Sequence, residues 1–195
     1  MQLQATNSLV FEHYSYAVQE KKLTLFTKTF NIYDPLGNLV LIVKLKPFTL
    51  KTHIYVYAAN TQEEFLYIKG NNIFNFLGSF DVYTSTNQDR IGVFKRELGY
   101  SWTIKDKNGA KIGVSLKDEG IRRPRFHRTL GLEFAIYANK TKICSYKFLN
   151  TIFRPVAAKL TMDFSRDYPD SFDKKLCVSA AILICLVEGN YYTRL

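Results

Sequence analysis

The chain is 195 residues long, 47% hydrophobic and 23% charged. That composition supports one sizeable core in a single domain over 1–195 and excludes a disordered chain. A net charge of +10 and a pI of about 9.4 point to polyanionic partners and say nothing about fold.

The segment Met1-Gln2-Leu3-Gln4-Ala5-Thr6-Asn7 has neither a basic nor an apolar leader region. The expectation is a cytoplasmic protein, peripheral at the membrane at most, in which the Asn139-Lys140-Thr141 sequon is not a glycosylation site. Strand signals then recur along the chain, at Leu9–Tyr14, Lys22–Phe26, Lys28–Tyr33 and Leu39–Leu45. Asp34-Pro35-Leu36-Gly37-Asn38 separates the last two as a turn, because Pro fixes φ, Gly supplies φ > 0 and Asp bonds the backbone. His53–Ala59, Glu64–Lys69, Ile73–Leu77, Phe80–Tyr83 and Arg90–Val93 read as further strands. Asp106-Lys107-Asn108-Gly109 then joins Ser101–Lys105 to Ala110–Leu116, with Asn-Gly as a strong hairpin signal. In the second of these strands Ile112, Val114 and Leu116 alternate with Lys111, Gly113, Ser115 and Lys117, which predicts an inner apolar face and an outer wet one. Trp102 is expected inside with Ile104. Phe134–Tyr137, Asn139-Lys140-Thr141 and Lys142–Cys144 repeat the hairpin form, and Ala158–Phe164 is one more strand. So many antiparallel strands hide their edges only in a barrel or a sandwich.

The run from Leu176 to Val187 is apolar on every side. Such a helix is buried all round or lies in lipid, and this one is too short for the roughly 20 residues that a bilayer needs. The expected helix spans about 170–187, with Asp170 as N-cap, Lys174 and Lys175 at a barrel mouth in water, and Gly189-Asn190 as its end before a last strand at Tyr191-Tyr192-Thr193. Of the three cysteines, Cys177 and Cys185 lie about 12 Å apart along this helix and cannot pair. Both read as small buried apolar groups.

Several segments carry a family resemblance. Phe30-Asn31-Ile32-Tyr33-Asp34-Pro35-Leu36-Gly37-Asn38-Leu39-Val40 resembles the first hairpin of scramblase and LURP-one-related domains. Trp102-Thr103-Ile104-Lys105-Asp106-Lys107-Asn108-Gly109 resembles a later copy of it, and Tyr168-Pro169-Asp170-Ser171-Phe172-Asp173-Lys174-Lys175-Leu176 with the apolar run resembles their C-terminus. From about Thr24 to Glu188 the chain is thus similar to the tubby-like superfamily. The resemblance implies a closed antiparallel β-barrel of about a dozen strands around a buried hydrophobic C-terminal helix. It also implies a non-enzymatic intracellular module that binds phosphoinositides or other anionic membrane lipids. The proline-rich, cysteine-rich and calcium-binding stretches of scramblases have no counterpart here, and none of the family's phosphoinositide-binding residues is carried over to a position of this chain.

The basic excess is local, with eleven Lys/Arg against four Asp/Glu from Arg90 to Arg128. Its densest part is Arg122-Arg123-Pro124-Arg125-Phe126-His127-Arg128. Arginine forks suit phosphate, and clustered cations attract anionic lipid. The candidate lipid-binding set is Lys95, Arg96, Arg122, Arg123, Arg125 and Arg128; the alternative is a solvated loop that blunts a sheet edge. Asp163, Asp167, Asp170 and Asp173 lack the spacing of a calcium loop and read as turn and cap residues. His13, His53 and His127 have no metal-ligand spacing, and no nucleophile or nucleotide motif is present. The expectation is therefore no catalysis, no cofactor and no metal. The partners expected are anionic phospholipid or phosphoinositide head groups, with a protein-interaction scaffold or a nucleic-acid-binding protein as the alternatives.

Overall fold

The computed structural model describes residues 11–21, 29–46, 49, 51–71, 78–85, 89–97, 101–117, 133–148 and 159–187. Among these residues twelve strands are formed: β1 Ser15–Lys21, β2 Thr29–Tyr33, β3 Leu39–Leu45, β4 His53–Ala58, β5 Glu64–Gly70, β6 Ser79–Thr84, β7 Arg90–Arg96, β8 Trp102–Asp106, β9 Lys111–Lys117, β10 Glu133–Ala138, β11 Thr141–Phe148 and β12 Lys159–Phe164. One helix, α1, spans Lys174–Val187 among the described residues. Each strand pairs antiparallel with its neighbours in sequence, and β1 pairs with β12, so the sheet closes without an edge.

The expected barrel around a helix is what the molecule forms. Twelve strands about 4.8 Å apart and tilted about 40° enclose a radius of about 12 Å, room for a helix about 10 Å across and one layer of side chains. Every residue of α1 from Leu176 to Leu186 is buried. The apolar run has no polar stripe because the wall surrounds it. Tyr146, wholly buried on β11, donates a hydrogen bond to the Cys177 carbonyl at 2.9 Å and ties wall to helix. No described helix is long and apolar enough to cross a membrane.

Connectivity gives the barrel two unlike ends. At the near end, where α1 begins, lie the β2–β3, β4–β5, β6–β7, β8–β9 and β10–β11 connections. Two of them use one device. Asp34 accepts from the Asn38 backbone N–H at 2.8 Å with Gly37 at φ +87°, and Asp106 accepts from the Ala110 N–H at 2.8 Å with Gly109 at φ +87°. The β1–β2, β3–β4, β5–β6, β7–β8, β9–β10 and β11–β12 connections lie at the far end.

Several expectations change. The first strand is Ser15–Lys21 rather than Leu9–Tyr14, and its buried positions are Tyr16 and Val18. The helix begins at Lys174, with Asp173 as its cap, accepting from the Lys175 N–H at 2.8 Å. Asp170 lies in the preceding turn, where the Phe172 N–H bonds the Pro169 carbonyl so that Phe172 is buried. Lys174 stands over the Phe11, Phe164 and Tyr168 rings, and Lys175 over Phe65, rather than in open water. Burial lowers the Lys175 pKa.

Strand β9 is turned over. Gly113 and Ser115 face inward, and Leu116 is 41% exposed. A Cβ on Gly113 would stand 3.2 Å from the Phe172 ring, so only a small residue fits on that side. The expected strands Lys22–Phe26, Ile73–Leu77 and Tyr191–Thr193 lie outside the described residues.

Candidate functional site

Successive strand residues point to opposite faces, and this separates the two described members of the candidate set. Lys95 is exposed on the outside of β7 and lies 3.5 Å from the Glu97 carboxylate. Arg96 turns inward, is buried, and places its guanidinium 5.8 Å from the Trp102 ring centroid. Trp102 faces inward, as expected from the sequence. Arg122, Arg123, Arg125 and Arg128 lie outside the described residues; they belong to the connection between Lys117 at the end of β9 and Glu133 at the start of β10, both at the far end.

The outer face of β3 to β7 at that end carries cations that sequence reasoning did not single out. His53 opens β4. Lys69 on β5 is its register partner, and the Lys46 N–H donates to the His53 carbonyl at 2.9 Å from the β3 side. Lys51 lies two residues before His53, close enough for its charge to act on the ring. Registered neighbours are about 4.5–5.5 Å apart at Cα, so Lys46, Lys51 and Lys69 surround one imidazole. Burial, then Lys46, Lys69 and Lys51, lower the His53 pKa. The His53 Nδ1 is 2.5 Å from the Tyr67 hydroxyl. None of the three lysines forms an ion pair among the described residues. Asp81, in register with Lys69, lies 3.8 Å from Arg90.

A row of aromatics crosses the same face. Tyr55, Tyr67 and Tyr83 are in register on β4, β5 and β6, with ring centroids 5.1 and 5.7 Å apart and tilts of 31° and 33°. Lys44, in register with Tyr55, stands 5.1 Å over the Tyr57 ring. The rings lean on one another, so the row presents hydroxyls and ring edges and not open faces. Lys95 is two strands from Lys69 on this wall, about 10 Å across the sheet. The sequence shows no cluster here, because Lys46, Lys51 and Lys69 are spread over 24 positions and only the β3–β4–β5 register gathers them.

The remaining candidates have structural roles. Ser15 Oγ donates to Asp163 at 2.5 Å, and Asp173 caps α1. No group of three His, Cys, Asp or Glu side chains among the described residues is placed to hold a metal ion. Cys144, Cys177 and Cys185 are free thiols buried in the core, and burial raises Cys144 and Cys185 above the ordinary thiol pKa. The chain matches no family model, no curated protein and no solved structure.

Proposed function

We propose that the protein is a non-enzymatic tubby-like barrel that binds anionic membrane lipid, of the phosphoinositide type, through its basic far end. The observation that carries this reading is the group of three lysines around His53, none held by a carboxylate among the described residues. Unpaired cations keep their charge for a partner, and each Lys near an anionic bilayer surface contributes about 1 kcal/mol. The neighbouring tyrosines suit the same partner, because their amphipathic rings favour the membrane–water boundary. The Tyr55–Tyr67–Tyr83 rings occupy one another's faces, which favours a lipid surface over stacked nucleic-acid bases. Lys95 extends the lysine surface towards β7, and the sequence between β9 and β10 holds four further cations, Arg122, Arg123, Arg125 and Arg128.

The test is co-sedimentation at physiological salt with neutral, phosphatidylserine and phosphoinositide vesicles. Wild type is expected to sediment with phosphoinositide vesicles. The folded Lys46/Lys51/Lys69→Gln variant loses most of that binding, and Arg122/Arg123/Arg125→Ala weakens it. Binding no greater than to neutral vesicles sinks the lipid reading and turns the search to protein partners. Displacement of the protein from vesicles by a single-stranded oligonucleotide at equal charge supports nucleic acid instead.

A further inference from the structure

Between Asp34 and Glu63, and again between Glu64 and Asp81, the sequence holds no Asp or Glu. Those two stretches supply all of β3 and β4, all of β5 after Glu64, and the β3–β4 and β5–β6 connections at the far end. His53 stands in this acid-free wall. It faces Lys46 from the β3 side, Lys69 and Tyr67 from β5, and Lys51 and Tyr55 from before and after it in the chain. The one charged group of β6, Asp81, lies beyond Lys69 in the same registered row, about 10 Å from His53 across two strands. Asp81 has Arg90 at 3.8 Å. The His53 Nδ1 bonds the Tyr67 hydroxyl, and its Nε2 has no hydrogen-bond partner among the described residues.

Burial first, then Lys46, Lys69 and Lys51, keep this ring neutral at pH 7. A phosphate group among the lysines reverses the local field. It offsets their charge and offers the imidazolium an acceptor at Nε2, while Nδ1–H donates to the Tyr67 oxygen. Protonating His53 then costs less with phosphate bound than without it. Linkage requires the converse, that binding draws a proton from solvent and is tighter where protons are plentiful. Lys46 and Lys51 are exposed, and His53 and Lys69 half-buried, so a phosphate reaches the group from solvent and needs no cavity. We propose that His53 is a proton-coupled fourth cation of the lysine surface, neutral while that surface is empty and protonated when a phosphate group is bound, so that binding tightens as the pH falls below 7. Under the lipid reading, on which this rests, the phosphate belongs to a head group; a soluble inositol phosphate offers the same chemistry.

Two measurements on the full chain at constant ionic strength test the coupling. The first is co-sedimentation of wild type and His53→Gln with phosphoinositide vesicles at pH 7.5 and pH 5.5. Phosphate monoesters lose charge over this range, with a second pKa of about 6, and this acts on both proteins alike. Relative to His53→Gln, wild type is expected to gain about 5-fold in affinity at the lower pH. The second follows the His53 ring by NMR against pH, without and with inositol hexakisphosphate, its signal identified by contacts to Tyr67. Its titration midpoint is expected to move up with the ligand in wild type, and to start higher and stay there in Lys46/Lys51/Lys69→Gln. Melting curves at both pH values verify folding; should His53→Gln not fold, the wild-type midpoint decides. Vesicle binding with parallel pH dependence in the two proteins, or with an unmoved midpoint, overturns the coupling and leaves the lipid reading standing. No vesicle binding, with a midpoint that inositol hexakisphosphate still moves up, sinks the lipid reading and supports the coupling for a soluble phosphate. Neither binding nor movement overturns both.

Discussion

The two ends of the barrel use similar residue types for opposite purposes. At the near end polar side chains face their own backbone. Asp34 and Asp106 close tight turns, Asp173 caps α1, and Lys174 and Lys175 lie over aromatic rings. At the far end Lys46, Lys51 and Lys69 have no acid partner, and the buried Trp102 Nε1 and Ser115 Oγ no hydrogen-bond partner, among the described residues. Charges and donors used locally stabilise the fold, whereas those left open are available to something outside it. The near end closes the barrel over the start of its helix, and the far end is where contact is expected.

The strongest way to break the near end is to charge the helix it admits. Ala181 is completely buried, and Ala181→Asp places a carboxylate among apolar side chains at a cost of about 4 kcal/mol or more. No cooperative thermal transition is expected from this variant. A soluble, cooperatively melting Ala181→Asp protein would refute a helix enclosed by the wall.

A pair of glycines compares the ends more finely. A Cβ on Gly92, near the start of α1, would stand 2.8 Å from both the Leu176 side chain and the Lys105 carbonyl oxygen. Backbone cannot yield as a side-chain tip can, so Gly92→Ala is expected to lose about 1–3 kcal/mol in urea unfolding. At the far end a Cβ on Gly70 meets Thr52 no closer than 3.2 Å, and Gly70→Ala is expected to lose less, under about 1 kcal/mol. Equal losses would mean that the two ends are packed alike.

The smallest effect concerns pH. Burial and the three lysines lower the folded-state pKa of His53 below its ordinary 6.5. The unfolded chain therefore binds this proton more readily than the folded one. Stability from neutral His53 is complete above about pH 6.5 and is lost as the pH falls through the depressed folded value. Between about pH 7 and pH 5 the melting temperature of wild type should fall more than that of His53→Gln. Parallel curves would show that the lysines do not act on His53, and would weaken the case for the lysine cluster.

Much of the near end is legible in the sequence. Asp-x-x-Gly-Asn and Asp-x-x-Gly are local devices, and the backbone geometry at Gly37 and Gly109 is the one that those residues select. The cap moves from Asp170 to Asp173 because Phe172 is drawn into the core first, a tertiary preference that no capping rule contains. Strand β9 turns over for a similar reason. Its alternation of Ile112, Val114 and Leu116 marks one face as apolar, but the other face meets Phe172, against which the small Gly113 packs. The far-end lysines were invisible because nothing local links Lys46 to Lys69, and Lys95 and Arg96 looked like one basic pair until the pleat sent them to opposite sides of the wall.

The sequence alone determined the strand-rich class, the turn chemistry and an enclosed apolar helix, because each depends on residues that are neighbours in the chain. The tertiary structure decided which side of β9 faces the helix and which cations share a surface. Those depend on register and closure, which bring together residues far apart in sequence, and local preference has no term for them.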